Sequence, residues 1–178
     1  MKSRTRRVLL WAGIGALAVV TVAGGLWFRT FRRYPPKEVM QDVRAGLAAR
    51  NIAEPKARVE RFLEVRYGPL TDPVNRERAF LDFFNVDHIK GLNFIVSRTP
   101  AEQRQANTQA MAQWIANYRN SMSPQEKAAL RAALGSEAGR ATLARAAAQF
   151  LSQDVYYRGD QKQVIQELMT TVAAVQRR

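Results

Sequence analysis

His88 is the one histidine of the chain and the side chain best suited to proton transfer or metal binding near neutral pH. Asp87 adjoins it, and Asp82 lies six residues earlier. A zinc site would need further nitrogen or sulfur ligands, and the chain holds no second histidine and no cysteine. A carboxylate-bridged metal site in a helical bundle would need a Glu-x-x-His pair, which is also absent. His88 therefore reads as a capping or hydrogen-bonded residue at a helix start. Glu60 and Glu64 share a helix face, but alternating charges surround them and mark a solvated surface. No glycine-rich phosphate loop, serine elbow or dinucleotide fingerprint occurs. The expectation is a protein that is not an enzyme and has no metal and no cofactor.

Two groups of residues are suited to binding rather than reaction. Tyr156, Tyr157 and Arg158 gather in the stretch 154–160 (DVYYRGD), which reads as a turn. Tyrosine and arginine tend to carry interface energy, so these three are candidates for contact with a protein partner. The competing local reading has the tyrosines covering the ends of neighbouring helices while Gly159 turns the corner. The second group is Phe80, Phe84, Phe94 and Trp114, which would line a pocket for a small apolar or anionic ligand if the domain holds one.

The element that must place all of these is residues 8–28 (VLLWAGIGALAVVTVAGGLWF), without a charged side chain and flanked by arginines and a lysine. As a helix it reaches roughly 31 Å, about the thickness of a bilayer's hydrocarbon core. Trp11, Trp27 and Phe28 fall where an aromatic belt would sit. A cleavable signal is the rival reading, since Thr21, Val22 and Ala23 precede Gly24 and Gly25. The apolar run continues past that point and ends in a basic cluster, which favours a retained single-pass anchor. Moving a short tail with four positive charges outward is unfavourable, so the N-terminus is expected in the cytoplasm and the domain outside it. Ala12 with Ala16, and Thr21 with Gly25, are weak signals for a homodimer through this helix.

The formal charge of +13 suggests nucleic acid at first sight. Seven of the positive residues, however, flank residues 8–28, and the rest of the chain has 21 basic against 15 acidic residues with no long basic run. Nucleic acid is therefore not an expected partner. Arg29, Arg32, Arg33 and Lys37 are expected instead to contact anionic lipid headgroups. The absence of cysteine rules out a disulfide framework and a lipoprotein anchor.

After a basic tail (1–7), the span (8–28) and a proline-stiffened connector (29–36), residues 37–178 read as one all-α domain. Helices are expected from 36 or 37 to about 50 and from 55 to about 67. A third is expected from 73 to about 85 behind Asp72, and a short one behind Asp87. Thr99-Pro100-Ala101-Glu102 and Ser123-Pro124-Gln125-Glu126 both read as capping boxes opening helices. Two more are expected, from Ser136 to about 153 and over 161–176. Val39, Val43 and Leu47 form the expected inner stripe of the first helix, and Val164, Leu168, Val172 and Val175 that of the last.

Compact helices on an anchor, without reactive motifs, point to an accessory, scaffold or assembly subunit of an envelope complex, acting through protein contacts. The alternative is a membrane-tethered sensor or carrier domain for a small apolar or anionic ligand. A connected cavity of ligand size would favour the second, and a filled core the first.

Overall fold

The computed structural model describes residues 37–153 and 155–176. These form eight α-helices, with no strand among the described residues: α1 (Lys37–Ala49), α2 (Pro55–Tyr67), α3 (Pro73–Asp82), α4 (Val86–Val96), α5 (Ala101–Ser121), α6 (Pro124–Gly135), α7 (Glu137–Leu151) and α8 (Val155–Gln176). Among the described residues no helix is long and apolar enough to cross a membrane. The span expected at residues 8–28, its connector, and Arg29, Arg32 and Arg33 lie outside the described residues.

Local chemistry explains most of the helix starts. Glu54 accepts from the backbone N–H groups of Lys56 and Ala57 ahead of Pro55, and Asp72 accepts from that of Val74 at 2.9 Å ahead of Pro73. Ser123 and Glu126 close a reciprocal capping box on α6. Ser136 both ends α6 and caps α7. The corner there is tight, because a Cβ on Gly139 would stand 2.1 Å from the carbonyl oxygen of Ala133.

Four starts and ends differ from the sequence expectation. The last turn of α3 tightens into i→i+3 bonds through Phe83, Phe84 and Asn85, so the α-helix ends at Asp82. Asn85 rather than Asp87 caps α4, accepting from the Asp87 N–H at 2.9 Å. Thr99 makes no capping box, because its hydroxyl donates back to the Ile95 carbonyl at the end of α4. Finally, 155–160 is helical rather than a turn, so α8 begins six residues earlier than the expected start at 161.

The core has two parts. Val59, Phe62, Leu63 and Tyr67 of α2 pack with Ala45 and Ala49 of α1, Ala79 and Ala110. The second part joins Phe80, Phe83, Phe84, Ile115 and Tyr118 to Leu130 and Leu134 of α6 and to Val164, Leu168, Val172 and Val175 of α8. Leu92, Met111 and Trp114 touch both. The long helix α5 therefore forms the spine, with α8 along one side and α2 on the other. Ion pairs fasten the second part: Arg76 to Glu126 across α3 and α6 at 3.0 Å, Arg104 to Asp160 across α5 and α8 at 3.0 Å, and Arg119 to Glu167 across the same two helices.

The buried face of α1 is Asp42, Ala45 and Ala49, turned from the expected Val39–Val43–Leu47 stripe. Small alanines and Gly46 let α1 lie close on both α2 and α4. Leu47 stays exposed, and with Val43 it faces an opening between helices.

Candidate ligand-binding cavity

Where the two parts of the core meet, α1, α2, α4, α5 and α8 leave a cavity of about 460 Å³. That lies within the roughly 300–1,000 Å³ of small-molecule sites. Its inner wall is apolar: Ala49 of α1, Val59 and Phe62 of α2, Phe83, Leu92 of α4, Met111 of α5 and Val164 of α8. Leu47, Arg50, Phe94, Arg98 and Gln103 also line it and are exposed, so they form its mouth. Among the described residues the charged members of the lining are four arginines, Arg50, Arg58, Arg98 and Arg104, with no aspartate or glutamate.

These arginines are not equivalent. Arg58 is occupied by structure, donating to the Ile52 carbonyl at 2.7 Å, the Ala53 carbonyl at 3.0 Å and Asn107 Oδ1 at 2.9 Å. It thereby ties the α1–α2 turn to α5. Arg104 is held by Asp160 and by the Thr99 carbonyl. Arg98 lies over the Phe94 ring, 3.6 Å from its centroid, with one weak bond of 3.4 Å to the Phe94 carbonyl. No carboxylate pairs with Arg98 or Arg50 among the described residues. Several deeper polar side chains satisfy one another, as Gln161 does by donating to Asn93 Oδ1 at 2.7 Å.

Behind the wall lies a buried ionic cluster. Asp42 of α1 and His88 of α4 are wholly enclosed. Asp42 Oδ1 accepts from Arg66 Nε at 2.8 Å and lies 2.9 Å from His88 Nδ1. With Asp42 ionised, His88 must carry its proton on Nδ1 to serve as the second donor. Arg66 also reaches Asp82 Oδ2 at 3.5 Å. Burial alone would lower the pKa of the Arg66 guanidinium, but its bond to Asp42 and the nearby Asp42 and Asp82 carboxylates raise it above the ordinary value. Burial, with Asp82 nearby, pushes the Tyr67 phenol up, so it stays protonated. Asp42 Oδ2 and His88 Nε2 are buried without a protein hydrogen-bond partner. The cluster touches the cavity wall at one point, because the Phe83 ring packs edge-on against His88 with centroids 5.6 Å apart.

Among the described residues no three His, Asp or Glu side chains converge in a way that could hold a metal ion. The cluster fastens three helices to one another, and the cavity joins an apolar wall to a mouth that carries arginines.

The residues singled out by sequence are scattered. Phe94 lines the cavity. Phe80 and Phe84 lie in the core instead, Phe80 with its centroid 5.6 Å from Phe84 and 5.4 Å from Tyr118. Trp114 is half-buried and stacked on Tyr118 at 5.8 Å. Arg158 is half-buried in α8, whose first turn carries the backbone of Tyr156 and Tyr157. Lys37 is the exposed first residue of α1. Sequence reasoning missed Arg50 and Arg98 at the mouth and the Asp42–Arg66–His88 cluster, whose members converge only in three dimensions. Comparison with protein-family models, with curated proteins and with solved structures finds no match to this chain.

Proposed function

We propose that this chain is a membrane-tethered sensor or carrier domain that holds a small amphiphilic ligand in the cavity between α1, α2, α4, α5 and α8. The observation that carries the reading is the cavity itself, of ligand size and apolar, whose lining among the described residues has four arginines and no carboxylate. Residues 8–28 serve as a retained single-pass anchor, with the N-terminus cytoplasmic and the domain on the other side. Arg29, Arg32, Arg33 and Lys37 hold the domain near anionic headgroups, at about 1 kcal/mol for each basic residue close to the surface. The anchor gives the domain access to membrane-derived amphiphiles, and the cavity removes an apolar tail from water.

Native mass spectrometry of the full chain purified from membranes tests this reading. The expected result is one retained small molecule per chain, lost when Thr108→Trp fills the cavity. Thr108 suits the purpose because it lines the cavity while its hydroxyl bonds only to carbonyls of its own helix. A chain that retains nothing and takes up no added amphiphile would sink the proposal.

A second reading is the accessory or scaffold subunit acting through protein contacts, with Tyr156, Tyr157 and Arg158 in the interface. It draws support from exposed apolar side chains that are not part of the cavity lining, Leu151 at 65% and Met169 at 59% exposure. Crosslinking from membranes, with and without Leu151→Ser and Met169→Ser, distinguishes it: a protein adduct lost in those variants would favour the scaffold.

A further inference from the structure

We infer that the ligand of the cavity is a single-chain amphiphile with an anionic head, carboxylate or phosphate, and that Arg50 and Arg98 are the residues that grip the head. The inference rests on the cavity being a ligand site, as proposed above, and adds the chemical class and its recognition.

Arg58 and Arg104 point their guanidinium donors at protein acceptors in α1–α2, α5 and α8. Arg50 has no hydrogen bond or ion pair among the described residues. Arg98 spends one nitrogen on a long bond and lies flat on Phe94, which fixes its plane while leaving donors on its edge. Both are exposed at the mouth, one in the turn after α1 and the other after α4. A guanidinium fork matches carboxylate and phosphate oxygens, two at a time. A cationic head would meet Arg50, Arg58 and Arg98 with no acid in the lining among the described residues, and that repulsion disfavours the class.

The remainder of the lining selects the tail. From Leu47 and Phe94 at the mouth, the wall runs inward over Leu92 and Met111 to Val164 without a free charge. Polar groups along it are already paired, as Asn107 is to Arg58 and Asn93 to Gln161. A chain of methylenes therefore displaces water without leaving a buried donor unmade. A sugar or nucleotide would bring hydroxyls that find no partners there.

The test uses the full chain in zwitterionic lipid nanodiscs and a photoreactive palmitate bearing a diazirine on its tail. Peptide mapping should place the crosslinks at Leu92, Phe94 and Met111. Palmitate and hexadecyl phosphate, in separate arms, should displace the probe at least about tenfold better than hexadecanol, and hexadecyltrimethylammonium should not displace it. Whichever of the two anions displaces it better identifies the head. Shortening the competing carboxylate should weaken displacement by about fourfold per methylene removed. The double variant R50Q/R98Q, with its thermal unfolding unchanged, should lose labelling about tenfold or more, whereas Lys37→Gln should not. Labelling unchanged in R50Q/R98Q, or hexadecanol competing as well as palmitate, would overturn the arginine grip while leaving the cavity a ligand site. No labelling of cavity peptides at all would overturn both.

Discussion

Gly91 offers a sharp test of how the ionic cluster is packed. It lies in α4, three residues after His88 and against α1. A Cβ at this position would stand 2.3 Å from Asp42 Oδ2, 2.9 Å from Asp42 Cβ and 3.0 Å from Asp42 Cγ. Ordinary contact begins near 3.4 Å, so Asp42 or the backbone of one helix must retreat by about 1 Å. Asp42 is held by Arg66 and His88 and cannot turn away without losing both. In an exposed helix, Gly→Ala would stabilise by about 1 kcal/mol. Here overpacking costs about 1–3 kcal/mol, and loosening a buried ion pair costs about 3–5 kcal/mol when it is broken outright. The net expectation for Gly91→Ala is a loss of about 2–4 kcal/mol, or roughly 6–15 °C in melting temperature for a domain of this size. Gly159 in α8 provides the control, because a Cβ there meets nothing within 4 Å. Gly159→Ala should stabilise by about 0.5–1 kcal/mol. Both are read from denaturant unfolding of the full chain followed by helical circular dichroism. An Asp42→Ala background, which removes the obstructing carboxylate, should erase most of the Gly91→Ala penalty. If Gly91→Ala is as stable as the parent, or its cost persists without Asp42, the packing argument is wrong.

Glu126 should make the domain's stability depend on acid. The Ser123 backbone N–H, the Ser123 side chain and Arg76 hold its carboxyl below the ordinary 4.5 against the opposing effect of burial. Its contribution is therefore complete above that value and is lost as pH falls through the lower folded one. Urea titrations from neutral to acid pH should show a loss in the parent that Glu126→Gln lacks; parallel curves would remove Glu126 as the cause. Trp114→Ala should cost about 2–3 kcal/mol, below the roughly 3–5 kcal/mol of a fully buried tryptophan, since the ring is half-buried but stacked on Tyr118. An unchanged unfolding midpoint would mean that the stack contributes nothing. Replacing Arg29, Arg32, Arg33 and Lys37 by Gln should lengthen the distance of the domain from anionic bilayers, measured by fluorescence quenching, and leave it unchanged on neutral ones. No difference on anionic lipid would reduce the four to a topology signal.

What sequence could reveal followed the range of the interaction. Asp72-Pro73 and the Ser123–Glu126 box were legible because a cap and its partners lie within three residues. Thr99 carries the same motif, but the end of α4 competes for its hydroxyl, which no local pattern encodes. The stripe Val164–Val175 is buried as its spacing implies, whereas the polar segment ahead of it joins the same helix without an apolar period to announce it. In α1 the periodic residues misled. Val43 and Leu47 face the cavity, while Asp42, the charged residue just ahead of Val43, is fully enclosed. Its partners lie 24 and 46 residues away, beyond any motif. Phe94 was visible as a binding candidate by type alone. Arg50 and Arg98 were not, since an arginine after a helix end usually faces water, and only the assembled fold shows that no acid among the described residues answers them.

The enclosed cluster also constrains how such a chain could change over generations. Loss of Arg66 alone would leave the enclosed Asp42 with His88 as its remaining partner, and loss of Asp42 alone would leave Arg66 only its 3.5 Å contact with Asp82; breaking such a buried pair from either side costs about 3–5 kcal/mol, a large share of a domain's margin. An apolar replacement is tolerable only when both change together, and a larger residue at 91 becomes acceptable only after Asp42 has shrunk. Viable paths between the two kinds of core therefore pass through a valley, and drift across it requires paired substitutions or prior stabilisation elsewhere. Positions 42, 66, 88 and 91 should be inherited as a block, even in descendants whose cavity mouth has been rewritten for a different occupant.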